Sequence, residues 1–232
     1  MVDGRPAFLI LPPNRDNSKP TPWVWYAPTF ANLPGKEETW LIEQLLAKGV
    51  AVAGIDVGES MGNPTGRGHF TALYTELTTK RGMSSKPCLL GRSRGGLMHY
   101  NWAAENPERV AAIAGIYPVG NLASWPGLQK AAGVYGVNAA ELEGQLVKHN
   151  PIDRLAPIAK AGIPIMHIHG DNDKVVPLEK NSGLIKERYD QLGGKMTLEI
   201  VPGGGHDMNP AWFKSQALVD FIVQHAGNSG AK

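Results

Sequence analysis

Apolar positions along this chain fall into two rhythms. Short unbroken runs alternate with longer stretches in which apolar residues recur at three- or four-residue spacing. The first rhythm predicts buried strands and the second predicts helices with one face against a core. "PAFLILP" (6–12) and "PWVWYAP" (22–28) are short, apolar and bounded by Pro, Asn and Asp, so both read as strands. "KEETWLIEQLLAKG" (36–49) has helical spacing, early acids and a Lys48-Gly49 stop. "VAVAGID" (50–56) is a continuous apolar strand; a Gly-rich loop, "VGESMGNPTGRGH", and a helix over 68–80 follow it.

The second half repeats the alternation. A strand is predicted at 87–91, a helix at 95–105, and strands at 109–119, 162–170 and 195–201. Helices near 178–192 and 211–225 complete the series. Strands alternating with helices imply a mostly parallel sheet covered on both faces, within one domain spanning 1–232. Sheets of this kind place their sites beyond the carboxyl ends of the strands. The stretch 120–161 interrupts the rhythm, is too short for an independent domain, and reads as a small cap or a set of site-rim loops.

That carboxyl edge gathers the candidate chemistry. Gly91-Arg92-Ser93-Arg94-Gly95 matches G-x-S-x-G and lies between an apolar strand and a helix. This setting lets a serine sit exposed on a strained turn while the glycines permit close strand–helix approach. A serine hydroxyl is inert without a base, and the base needs an orienting acid. His206 follows a strand and three glycines in "VPGGGHDM" (201–208), and Asp173 lies just past the strand in "MHIHGDNDKVVP" (166–177). The order Ser93, Asp173, His206 is that of an α/β-hydrolase triad.

On these motifs, from about residue 20 to 225, the chain resembles the α/β-hydrolase superfamily. "HGDNDKVVP" is similar to the H-G-x-x-D-x-x-V-P signature of its esterases and prolyl-oligopeptidase-like members. The resemblance implies an α/β-hydrolase fold with a minimal cap and a serine esterase of the compact bacterial kind, some of which act on decorated polysaccharides. It implies Asp173 rather than Asp171 as the acid. Oxyanion donors are expected from the backbone N–H of Arg94 and from Thr29 or Phe30 in "PTFANLPG". The implied reaction is carboxylic ester hydrolysis through an acyl-enzyme, on acyl or methyl esters of carbohydrates. A prolyl-oligopeptidase-like peptidase and a non-catalytic binding protein on the same fold are the competing readings.

Other residues carry two readings each. Arg92 and Arg94 flank the serine and either bind an acidic group or pair with structural acids. Glu59, on the loop after a central strand, either lines the site or is solvated. Of six tryptophans, Trp125 beside Pro126-Gly127 is the one expected at substrate, the others reading as core, and Tyr117 is a further candidate for substrate contact. His167-Ile168-His169-Gly170-Asp171 has a spacing that can chelate zinc, but strand alternation turns both histidines into a buried face, so no metal is expected. No P-loop is present, and no cofactor is expected.

Composition narrows the partners. A formal net charge of +2 gives no reason to expect nucleic acid, and no apolar run reaches membrane-spanning length. A small-molecule or polysaccharide ester is the expected partner. The single cysteine, Cys88, sits in an apolar run and reads as core. The N-terminal stretch lacks the basic and long apolar regions of a leader, leaving the cytoplasm or an exported chain whose leader was trimmed.

Overall fold

A computed structural model describes residues 1–226. Seven strands form one sheet: β1 (Ala7–Ile10), β2 (Trp23–Ala27), β3 (Ala51–Ile55), β4 (Cys88–Arg92), β5 (Ala112–Ile116), β6 (Ile165–Gly170) and β7 (Met196–Val201). Their order is β1-β3-β2-β4-β5-β6-β7, with β1 antiparallel to β3 and every other pair parallel. This is the expected α/β-hydrolase architecture. From β2 the chain steps outward to β3, then returns past β2 to β4. The loops leaving β2 and β4 therefore diverge side by side, which opens a crevice at the carboxyl edge.

Alternation along each strand splits the core in two. Trp23, Trp25 and Ala27 join one cluster while Val24 and Tyr26 join the other, so each face of β2 is apolar. The first face packs α2 (Pro64–Lys80) and α3 (Gly95–Glu105), and the second packs α1 (Thr39–Ala47). The Trp25 ring lies 5.4 Å from Trp23, 4.8 Å from Phe70 and 5.0 Å from Trp102, centroid to centroid. Aromatic packing of this kind adds about 0.5–1.5 kcal/mol per pair beyond area burial. Four of the tryptophans assigned to the core, Trp23, Trp25, Trp102 and Trp212, are at most 1% exposed; Trp40 is half-buried.

Helix boundaries depart from the periodicity where capping chemistry decides. α2 starts at Pro64 rather than 68, because the Asn63 side chain accepts the Gly66 N–H at 2.8 Å and Pro64 needs no hydrogen-bond partner. The 36–49 segment opens with a 3-10 turn over Lys36–Glu38 before α1. The 120–161 stretch holds α4 (Leu128–Tyr135), α5 (Ala139–Glu143), α6 (Leu146–His149) and α7 (Leu155–Lys160). Ala131, Ala132 and Leu142 of that stretch pack on Leu97 and Val176, away from the two sheet-face clusters. The 178–192 helix is shortened to α8 (Ser182–Gln191). The 211–225 helix divides into α9 (Pro210–Phe213) and α10 (Gln216–Ala226), with the Ser215 hydroxyl accepting the Leu218 N–H at the restart. Among the described residues no helix is long and apolar enough to cross a membrane.

Candidate active site

β4 ends in a sharp turn. Ser93 has φ of +49°, a left-handed conformation that costs a non-glycine residue free energy and persists only when its surroundings enforce it. Here its N–H donates to the Ile116 carbonyl at 3.0 Å, while its own carbonyl accepts from Val119 at 2.8 Å and Gly96 at 3.0 Å. Those three bonds hold the bend, and α3 starts two residues on. A Cβ at Gly95 would lie 2.0 Å from the Ala27 carbonyl oxygen, so only glycine lets the helix start this close to β2.

Three side chains from three strand ends meet at this turn. Ser93 Oγ is 2.9 Å from His206 Nε2, and His206 Nδ1 is 2.8 Å from Asp173 Oδ2. Asp173 is 3% exposed, and its other oxygen accepts the N–H groups of Val175 at 2.9 Å and Val176 at 2.8 Å. Burial alone would raise its pKa. Hydrogen bonds from His169, His206 and the Val176 N–H outweigh that and hold the carboxyl well below the usual range. The group facing His206 is therefore a carboxylate. Asp171 is occupied elsewhere: its Oδ1 accepts the Gly203 N–H at 2.7 Å, which ties down the glycine turn ahead of His206.

The imidazole is seated from below. The Tyr117 ring lies 4.3 Å from the His206 ring, and the Tyr117 hydroxyl donates to the Asp207 carbonyl at 3.2 Å. Asp207 Oδ1 accepts the Trp212 indole N–H at 2.7 Å. Tyr117 is 1% exposed, which corrects its assignment as a substrate contact. It lies under the histidine, where its ring is shielded from any incoming ligand.

Two further expectations are corrected. Arg92 is 6% exposed, donates to the fully buried Glu38 at 2.5 Å and lies over the Phe213 ring at 5.0 Å, so it is not free to bind a substrate anion. The Phe30 N–H is taken by the Leu33 carbonyl at 3.1 Å in a tight reciprocal turn, which removes Phe30 as an oxyanion donor. Thr29 and Arg94 donate no backbone hydrogen bond among the described residues.

Arg94 faces the opposite way from Arg92. Its guanidinium pairs with Glu59 and lies 5.7 Å from the Phe30 ring and 5.6 Å from the half-buried Trp125 ring. Glu59 is thus exposed and paired, and Trp125 comes down from the 120–161 segment to the rim. The periodicity carried no sign of Glu38 or of the floor beneath His206. An acid just ahead of an apolar helical run was the one available pointer to Glu38. His167 and His169 are fully buried and hydrogen-bonded to protein groups, and no cluster of three or more His, Cys, Asp or Glu suited to a metal occurs among the described residues.

A model of the prolyl oligopeptidase family, Peptidase_S9, matches residues 70–229, more than two-thirds of the chain. No curated protein matches. Among solved structures, a truncated form of a carbohydrate esterase from gut microbiota superposes with a TM-score of 0.74 at 21% identity, covering 95% of this chain and 90% of that one. Est1E from Butyrivibrio proteoclasticus gives 0.69 at 18% identity, covering 97% and 98%. Dipeptidyl peptidase 4 of Porphyromonas gingivalis gives 0.75 at 15% identity; 95% of this chain is covered, but it spans only 33% of that protein. At these identities the likeness establishes a shared fold.

Proposed function

We propose, from the premise that the chain belongs to the prolyl oligopeptidase family of α/β-hydrolase-fold serine hydrolases, that it cleaves carboxylic esters through an acyl-enzyme on Ser93. The observation that carries this reading is the unbroken line from Ser93 Oγ through His206 to the Asp173 carboxylate, at 2.9 and 2.8 Å. His206 Nε2 accepts the Ser93 proton as Oγ attacks the ester carbonyl, and then delivers it to the leaving alcohol. Asp173, anionic and held by two backbone N–H groups, keeps the Nδ1–H tautomer and stabilises the imidazolium. Charge arising on the carbonyl oxygen is met by the uncommitted N–H groups of Arg94 and Thr29. Water, deprotonated by His206, then releases the acid from Ser93.

The alcohol side of the substrate is a carbohydrate in this reading. The Trp125 and Phe30 rings beside Arg94 offer flat apolar faces next to a cation, which suits a sugar ring carrying polar or acidic groups. Two fold neighbours bear the names carbohydrate esterase and Est1E, which supports putting esters first. The second reading, a peptidase acting beside proline, draws on the family match itself.

A panel of acetylated, methyl-esterified and feruloylated polysaccharides, run beside a prolyl anilide, tests both. We expect acid or alcohol release from an ester, with Ser93→Ala losing at least about 10³-fold in turnover at unchanged fold. A fluorophosphonate should label Ser93 in the same chain. Near-normal turnover by Ser93→Ala would refute the assignment, and cleavage of the anilide alone would move it to the peptidase.

A further inference from the structure

Behind the acid lies a chain of side chains that hydrolysis as described above does not use. His169 Nε2 is 2.8 Å from the Val176 carbonyl and 3.4 Å from Asp173 Oδ2. His169 Nδ1 is 2.8 Å from Ser182 Oγ, and Ser182 Oγ is 2.9 Å from His167 Nδ1. His167 Nε2 is 2.9 Å from the Tyr100 hydroxyl. His167, His169 and Ser182 are completely buried and Tyr100 nearly so.

With both imidazoles neutral, the protons in this chain have one arrangement. A neutral imidazole donates from one nitrogen and accepts at the other. The Val176 carbonyl can only accept, so His169 carries its proton on Nε2. Nδ1 of His169 must then accept, and Ser182 spends its only proton there. Ser182 Oγ is left to accept from His167 Nδ1–H, and His167 Nε2 accepts from the Tyr100 hydroxyl. Burial keeps His167 neutral, pushing its pKa down to about 3. Every donor in the series therefore points toward the acid.

We propose that His169, with its tautomer set by Ser182, His167 and Tyr100, is a positioning residue that fixes the Asp173 carboxylate for His206. It acts at two points. Its Nε2–H holds the Val176 carbonyl, and the Val176 N–H holds Asp173 Oδ1. The His169 Nε2–H also faces Asp173 Oδ2, the oxygen that accepts from His206. With both oxygens and the loop between them pinned, the carboxylate cannot rotate away from the imidazole. The inference rests on the Ser93 reading only for its kinetic readout.

The test uses four variants of the full chain on whichever ester the wild type hydrolyses. His169→Asn keeps an amide near Ser182 but cannot reach Val176; His169→Gln places an N–H donor near the Nε2 position. We expect His169→Asn to lower kcat by about 10- to 100-fold with KM within about twofold, since sub-ångström misplacement of a reacting group has effects of this order. His169→Gln should recover most of the loss. Ser182→Ala should fall between them and Tyr100→Phe should cost least, because each lies further from the acid. The downfield proton resonance of the His206–Asp173 hydrogen bond should shift or broaden in His169→Asn and return in His169→Gln. That resonance is read without substrate, so a chain that hydrolyses no ester would sink the Ser93 reading while leaving this one decided. Equal losses in Asn and Gln variants, or wild-type kcat and resonance in His169→Asn, would overturn the proposal. If His169→Asn does not fold, wild-type kcat and resonance in Ser182→Ala would overturn it instead.

Discussion

The two flanks of Ser93 carry the same residue in opposite surroundings. On the strand side, Arg92 points into the face covered by α1 and α10 and meets Glu38, a carboxylate with no solvent exposure. Glu38 is fully occupied: its Oε1 accepts from Arg92 at 2.5 Å and from the Tyr26 hydroxyl at 2.7 Å, and its Oε2 from the Gly35 N–H at 2.8 Å. On the helix side, Arg94 lies at the rim with an exposed partner and two aromatic faces. Buried charges must be paired and hydrogen-bonded to be tolerated, whereas exposed ones are screened and exchange partners freely. One flank therefore reads as a fixed brace and the other as an adaptable surface. The brace also reaches the chemistry, because Gly35 closes the 28–35 loop that bears Thr29.

The contrast breaks most decisively at Glu38. Glu38→Gln leaves the Arg92 cation buried without its counter-charge, a change that costs about 3–5 kcal/mol in comparable pairs. Urea unfolding should show that loss as a lower midpoint at unchanged slope. Arg94→Ala in the same assay should stay within about 1 kcal/mol of wild type. Equal, small shifts from the two would mean that burial does not distinguish the flanks. Glu38→Leu combined with Arg92→Leu should recover part of the loss, because the bare charge is then gone.

The turn between the flanks comes next in size. Gly95→Ala puts a methyl group 2.0 Å from the Ala27 carbonyl, a fixed backbone atom. Either α3 or the end of β2 must move, at about 1–3 kcal/mol for an overpacked site. Because the proposed oxyanion donors Arg94 and Thr29 directly flank these segments, ester turnover should fall more steeply than stability. A variant with wild-type melting and turnover would show that the close approach is not required.

How far the sequence foretold these flanks depends on the range of the interaction. The strands were legible because β3 and β5 are continuous apolar runs, and β4 and β6 are interrupted only by Arg92, His167 and His169; burial is complete along every residue of the four. Ser93, Asp173 and His206 could be proposed from the sequence because each follows the end of a strand. The "GRSRG" stretch, by contrast, is locally symmetric and cannot say which arginine turns inward. That is decided by an acid 54 positions away. The same limit applies to Phe30, whose N–H is consumed by a turn to Leu33, and to Tyr117, whose strand-end position resembles that of a rim residue until Trp212 and Phe213 close over it. Helix starts were misplaced where an Asn63 or Ser215 cap, rather than periodicity, set the boundary.

A smaller effect separates a buried group with partners from one without. His99, on α3, is fully buried between Trp25 and Phe70, and neither ring nitrogen has a hydrogen-bond partner among the described residues. Burial pushes its pKa down from 6.5 to about 3. Between those values the unfolded chain binds a proton that the folded chain refuses, so His99 destabilises the fold progressively as pH drops below 6.5. Above 6.5 this cost is absent. His99→Leu should therefore gain on wild type with acidification, by about 1.4 kcal/mol per pH unit at most. Parallel melting curves from pH 7.5 to 5 would contradict that. The variant leaves His167 in place, so part of the acid sensitivity should persist.

The smallest effect belongs to the outer flank, and it separates side chain from backbone. Arg94 is assigned two roles: its N–H meets the developing oxyanion, and its guanidinium with Glu59, Phe30 and Trp125 forms the rim. Substitution by Met removes the second and keeps the first. Arg94→Met should therefore hold kcat within about twofold, while KM for a carbohydrate ester changes by up to about fivefold, the equivalent of an exposed interaction worth about 1 kcal/mol. If Arg94 meets an acidic group, KM for acidic esters should rise more than for neutral ones. Wild-type KM for the acidic ester should then rise with salt, whereas that of the variant should not. A collapse of kcat in Arg94→Met would place the guanidinium at the reacting atoms and erase the distinction between the rim and the chemistry.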